Sequence, residues 1–159
     1  MPVLSTPAPL GNSETVEPID QARLTRLLGF RLTRTELRIR RMFLDCVSAC
    51  ELKPVDYSVL VLVDANSGVN QRQLAEVLDV SPPNLAIVIA RLVKRRLLRQ
   101  VRGQQDRRMQ HLHLTAAGKT LLNRAETLIL EMESRFSQAL GATQSRALLR
   151  ALDTLTALD

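Results

Sequence analysis

Apolar residues recur at spacings of three and four along most of the chain and at a spacing of two in a single stretch, so the pattern predicts helices around one hairpin. From Asp20 onward, Leu24, Leu28, Leu32, Thr35, Ile39, Met42, Cys46 and Cys50 fall on one stripe. They predict a long amphipathic helix, capped by Asp20 and ended before Pro54. A shorter apolar helix holds Val55, Val59, Leu60, Leu62 and Val63 and stops near Gly68. Two more are expected from Gln71 to Leu78 and from Pro82 to about Arg96, the latter with Ser81 as N-cap and Pro82 at its first position. Leu97–Arg102 and Met109–Leu114 then read as two strands, in which Gln110, Leu112 and Leu114 alternate with Met109, His111 and His113. Thr115 caps a long helix with the stripe Leu121, Ala125, Leu128, Met132, Phe136 and Leu140. Gly141 ends it, and a last helix carries Leu148, Leu149, Leu152, Leu155 and Leu158.

Composition narrows the class. With no Trp, one Tyr and three Phe among 159 residues, the core is aliphatic, and the few glycines favour helices over a sandwich or barrel. The length suits one domain. Residues 1–18, with four prolines and little apolar periodicity, read as a disordered or loosely docked arm. No basic, apolar leader or membrane-length apolar run is evident, and two cysteines make no disulfide framework, so the expected location is the cytoplasm. The net charge of +6 is unevenly placed: Asn70–Gly118 carries nine basic and three acidic residues, while both flanks are neutral. A localised basic segment is the footprint of a polyanion binder, most often of nucleic acid.

Within that segment, Ala75 lies four residues after Gln71, Asp79 and Val80 form a turn, and Leu85 and Val88 follow on the next helix. This is helix-turn-helix spacing: a small residue where the helices cross, an apolar plug in the angle, and two apolar locks. Asp79 takes the turn position usually held by Gly, where a left-handed backbone is needed. The following hairpin makes the unit a winged helix-turn-helix.

At these residues the chain resembles the MarR (multiple antibiotic resistance) family of transcription regulators. The likeness rests on Leu74-Ala75, Val80-Ser81-Pro82, Arg91-Leu92, Leu97-Leu98, Asp106-Arg107-Arg108 and Leu114-Thr115-Ala116-Ala117-Gly118, in family order over nearly the whole folded chain. It departs at Arg96, where Gly is common, and at Ala86-Ile87, where a polar residue and Arg are frequent. The resemblance implies a mainly α fold with a small β-hairpin wing, a winged helix-turn-helix at residues 54–115, and dimerisation helices at residues 19–53 and 116–159. It implies a homodimer on a near-palindromic double-stranded DNA operator, usually a repressor released by a small ligand or by oxidation. Independently, Leu24, Leu28, Leu121, Leu128, Leu149, Leu152 and Leu155 are too many apolar positions for isolated arms to bury.

If Leu85, Val88, Ile89 and Leu92 face the core, then Pro83, Ala86, Ile87 and Ala90 face outward. Such a small apolar strip suits thymine methyl groups. Ser81, Pro82 and Asn84 stand at its start, and Arg91, Lys94 and Arg95 are placed to hold phosphates. Alternatively, Ala86 and Ile87 pack in a dimer or domain contact, and the cations are a solvated face. In the wing, the resemblance has Asp106 orient Arg108 into the minor groove, with Arg107 and Arg102 on phosphates. The plainer reading of that triplet is a surface ion pair.

Arg31, Arg34 and Arg38 recur at helical spacing and suit an anionic effector, either an aromatic carboxylate or an acyl-CoA thioester, with Tyr57 as a wall. A solvated arginine face and a core tyrosine are the alternatives. Cys46 and Cys50, four apart, fit either a thiol redox sensor or buried apolar positions. His111 and His113 lack a third ligand at local spacing, so no metal and no cofactor is expected. An enzyme fails on inventory: no glycine-rich phosphate loop, H-E-x-x-H or G-x-S-x-G is present. A winged helix serving protein or RNA contact is the stronger competitor, because fold alone does not fix function.

Overall fold

The structure is a computed structural model that describes residues 19–102 and 110–158, and the chain divides into two compact units, residues 1–35 and 36–159. The proline-bearing start and the segment 103–109, with Asp106, Arg107 and Arg108, lie outside the described residues.

In the first unit, α1 (Ala22–Thr25) precedes the opening turns of α2 (Leu28–Cys46). Asp20 accepts the Ala22 N–H at 2.8 Å, a cap at its expected place. The single helix expected from Asp20 to Pro54 is interrupted twice. First, the Thr25 carbonyl, which a continuous helix would pair with the Gly29 N–H, accepts Arg31 Nε at 2.6 Å. Second, α2 gives way to a 3-10 turn, Ser48–Cys50, closed by Glu51 in the left-handed region at φ 51°. The face of α2 that enters the core is also displaced from the expected stripe. Phe43, and Val47 just past the helix end, are buried, while Ile39 remains exposed and Met42 and Cys46 are half-buried; Cys50, in the 3-10 turn, is buried as the stripe expected.

In the second unit, Pro54 opens α3 (Pro54–Ala65), and Asp56 Oδ2 accepts the Lys53 N–H at 2.9 Å, filling an orphan donor at the helix start. Then come α4 (Gln71–Val77), α5 (Pro82–Lys94), β1 (Leu98–Arg102) and β2 (Gln110–Leu114). The strands pair antiparallel from Leu98 opposite Leu114 to Arg102 opposite Gln110. The Leu112 N–H donates to the Val69 carbonyl at 2.8 Å, so the α3–α4 connection adds a short third edge. Leu60, Leu74, Leu85, Leu92, Leu112 and Leu122 are fully buried and join helices, hairpin and α6 in one aliphatic core.

The last element, α6 (Ala116–Thr156), is broken at Gly141 (φ 75°, ψ 160°), where the long helix was expected to end. Of the expected stripe, Ala125 and Met132 are buried; Leu122 and Ile129 are buried in place of Leu121 and Leu128, which with Phe136 are half-buried, and Leu140 is exposed. The helix carries adjacent apolar rows, and spacing alone does not rank them. At its start, Gly118 permits a backbone contact no other residue allows, since a Cβ there would lie 2.1 Å from the Leu97 carbonyl oxygen. Among the described residues, no helix is long and apolar enough to cross a membrane.

Candidate nucleic-acid interface

Asn70 opens the site by a reciprocal cap on α4. Its Oδ1 accepts the Gln73 N–H at 3.0 Å, and Gln73 Oε1 accepts the Asn70 N–H at 3.0 Å. The turn that follows is held by the Val80 N–H on the Ala75 carbonyl at 3.0 Å, with Ala75 buried. Asp79 sits at φ 49°, the left-handed backbone its position was expected to require. The Gln71 amide donates to the Pro82 carbonyl at 3.3 Å and joins the two helices across the turn.

Helix α5 has two unlike faces. Leu85, Val88, Ile89 and Leu92 are buried, whereas Ser81, Pro82, Pro83, Asn84, Ile87 and Ala90 are exposed and Ala86 is half-buried. Ile87 is 64% exposed, so no contact among the described residues accounts for it. Ser81 is the N-cap residue, but its hydroxyl makes no capping bond. With proline at both 82 and 83, two N–H groups that a helix start offers to anions are missing.

The cations divide into two groups. Arg72, Lys94, Arg96, Arg99 and Arg102 are exposed. Arg91 and Arg95, expected on phosphates, are engaged with other residues of the head. Arg91 Nη2 pairs with Asp56 Oδ1, and Asp56 is 1% exposed. Arg95 donates from Nη1 to the Glu51 carbonyl at 2.7 Å and from Nη2 to the Cys50 carbonyl at 2.9 Å. Asp56 is the functional candidate that the periodicity passed over; its signal was a lone acid among apolar residues right after Pro54. Arg72 and Arg99 were counted in the basic segment without being assigned a role.

The corner into the wing is built at Arg96, left-handed at φ 58°, a backbone that Gly adopts more readily. The Thr115 hydroxyl donates to the Arg96 carbonyl at 2.7 Å and accepts the Gly118 N–H at 2.9 Å, so one side chain fixes the corner and caps α6. His111 Nδ1 bonds the Gly68 carbonyl, and His113 stands opposite Arg99 in the hairpin.

Of the effector candidates, Arg31 closes α1 in the first unit and Arg34 is exposed on α2. In the second unit, Arg38 lines a cleft of about 450 Å³ with Met42, Asp45, Cys46, Glu131 and Arg135. Tyr57 is outside that cleft's lining. Its ring packs on Phe43 at 5.9 Å between centroids, and burial, then Glu126 and Glu133, pushes its hydroxyl pKa up. The Cys46 thiol donates to the Leu128 carbonyl at 3.1 Å, and burial, then Glu131 and Cys50, pushes its pKa up as well. A sensor thiol needs the opposite shift.

Residues 51–109 match the MarR family, and three relatives extend the likeness. A putative transcriptional regulatory protein for the hcr operon of Thauera aromatica is 29% identical over 133 residues, 83% of this chain and 80% of that protein. The transcriptional repressor CouR bound to a 23-mer DNA duplex is 37% identical, with a TM-score of 0.84 over 87% of this chain and 99% of that one. CouR bound to p-coumaroyl-CoA is 36% identical, with a TM-score of 0.81 over 89% of this chain and 100% of that one. The chain belongs to the MarR family, and its fold is the winged helix-turn-helix of that family.

Proposed function

We propose that this protein is a homodimeric, sequence-specific DNA-binding repressor of transcription, released from its operator by an anionic small molecule. The observation that carries this reading is the two-faced α5. One face is locked into the core, while the other exposes Pro83, Ile87 and Ala90 beside Lys94, with no partner among the described residues. A helix held rigidly from behind and bare in front suits insertion into a major groove. Ser81, Pro82, Pro83, Asn84, Ala86 and Ile87 then meet the groove, the small apolar strip favouring thymine methyls. Lys94, Arg102 and Arg107 hold backbone phosphates, and Arg108, oriented by Asp106, enters the minor groove. Residues 54–115 form the reading head, and residues 19–53 and 116–159 form the dimer region. The protein works in the cytoplasm by binding, without catalysis.

The effector is an aromatic acid or its CoA thioester, taken by Arg38 in the cleft of the second unit. CouR in complex with p-coumaroyl-CoA, at 36% identity, supports this class. Guanidinium groups pair with carboxylate or phosphate through parallel hydrogen bonds.

Selection of bound sequences from a random duplex pool, followed by release with p-coumaroyl-CoA, free p-coumarate and CoA in parallel, tests both halves. Enrichment of one near-palindrome and release by the thioester or the acid alone is the expected result. Equal retention of RNA and duplex DNA, or no enrichment, overturns the DNA half; retention of the operator under every anion overturns the effector half.

A further inference from the structure

We propose that Arg91 and Arg95 are positioning residues, a two-point clamp that sets the angle at which α5 presents its outer face; the proposal rests on the DNA-binding reading above. The two side chains lie one helical turn apart, hence on one flank of α5. Each reaches a different part of the scaffold behind it. Arg91 is tied to Asp56, which is 1% exposed and whose other carboxylate oxygen accepts the Lys53 N–H at the start of α3. Both carboxylate oxygens are therefore used, and the Arg91 charge is neutralised inside the head. Its Nε is buried without a hydrogen-bond partner among the described residues, so the Nε–Nη2 edge of the guanidinium is turned inward and is not the edge that would grip a phosphate.

Arg95 spends both terminal nitrogens on the Cys50 and Glu51 carbonyls, at the left-handed close of the 3-10 turn. The C-cap of α5 is thereby tied to the segment between α2 and α3, and its last turn to the first turn of α3. A helix held at two points four residues apart resists both sliding and rotation about its axis. Rotation is the motion that would turn Ile87 away from a base edge.

The mechanism makes a demand that phosphate binding does not. Residues that neutralise phosphates contribute to the salt dependence of binding, about one unit of slope for each cation removed from a phosphate. Positioning residues change affinity and leave the slope alone. Affinity for the selected operator is measured from low to moderate salt for wild type, Asp56→Asn, Arg91→Ala, Arg91→Lys, the Asp56→Asn/Arg91→Ala pair, Arg95→Gln and Lys94→Ala. The expected result is at least a tenfold loss for Asp56→Asn, Arg91→Lys and Arg95→Gln at unchanged slope, no added loss in the paired variant, and a flatter slope for Lys94→Ala alone. A slope reduced by about one in Arg91→Ala, with Asp56→Asn leaving or tightening binding, would overturn the clamp.

Should Asp56→Asn fail to fold, Arg95→Gln, at the other clamp point, decides by the same criterion. If wild type binds no duplex, the DNA reading fails on its own, and amide hydrogen exchange then judges the clamp. Exchange faster by tenfold in α5 than in α6 for Arg95→Gln supports it, and equal exchange in both helices removes it.

Discussion

The reading head and the far end of α6 are built from the same residue, leucine, with opposite outcomes. In the head, Leu60, Leu74, Leu85, Leu92 and Leu112 are fully buried. Along α6, Leu130 and Leu149 are 68% and 62% exposed, and Leu148, Leu152 and Leu158 are exposed as well. In the first unit, Leu24, Leu27 and Leu28 are exposed too. Burying one such side chain contributes about 1.5–3 kcal/mol. The head has used that driving force within one chain, whereas the ends of the chain still hold it in reserve. A single polypeptide thus carries a reader whose leucines are buried within the chain, on segments whose leucines stay exposed and suit a second copy.

The largest expected effect comes from spoiling that reserve. Leu149→Glu combined with Leu152→Glu should convert the dimer to a monomer in sedimentation and lower operator affinity by about 10²–10⁴-fold, since two linked half-sites lose their avidity. The far-ultraviolet spectrum of the head should survive. A dimer that persists with both changes would separate the exposed leucines from association. The converse experiment strikes the joint between the start of α6 and the head, away from the exposed leucines. Gly118→Ala places a Cβ 2.1 Å from the Leu97 carbonyl oxygen, a backbone atom with no rotamer to yield. The expected loss is about 3 kcal/mol, roughly 10 °C in Tm by calorimetry, with association retained by whatever fraction is folded.

Much of the head was legible because its positions are over-determined. Asp79 had to be left-handed to turn between α4 and α5, and it is, at φ 49°. Leu85, Val88, Ile89 and Leu92 had to share a face, and all are buried. The helices toward the two ends were read less well, since a broad apolar surface supports more than one stripe. Phe43 and Val47 enter the core where Ile39 was expected to help, and the α6 stripe starts at Leu122 in place of Leu121. The break after α1 had no marker in the periodicity, because it depends on Arg31 taking the Thr25 carbonyl. The double life of the basic residues was equally hidden. Charge counting scores Arg91 and Lys94 alike, and only the position of Asp56, 35 residues earlier in sequence, distinguishes them.

A smaller effect probes the reader's surface without touching its core. Ile87→Ala removes exposed carbons, so folding stability should stay within about 0.5 kcal/mol of wild type in thermal melts. Removing one apolar contact with a thymine methyl should cost about 1 kcal/mol, roughly fivefold in affinity, on operators carrying that base and nothing on operators where it is changed. A uniform loss across all duplexes would assign Ile87 to scaffold or interface.

The smallest effect sharpens the contrast at Cys46, which lies on α2 against α6. Its thiol donates to the Leu128 carbonyl, and burial, followed by Glu131 and Cys50, raises its pKa above the ordinary thiol value. The thiolate is therefore rarer at neutral pH than in a free cysteine. Alkylation of Cys46 by iodoacetamide at pH 7 should run slower than that of a free thiol, and peroxide should leave operator binding unchanged in wild type and in Cys46→Ser alike. The stability linkage has the matching sign. The folded state holds this proton more tightly than the unfolded chain does. The resulting stabilisation is fully present below the unfolded pKa and is lost as pH rises through the higher folded one. Thermal melts across the alkaline range should thus fall less steeply for Cys46→Ser than for wild type. Fast alkylation at pH 7, with release of DNA by peroxide that Cys46→Ser prevents, would instead make this thiol the sensor and displace the anionic effector from that role.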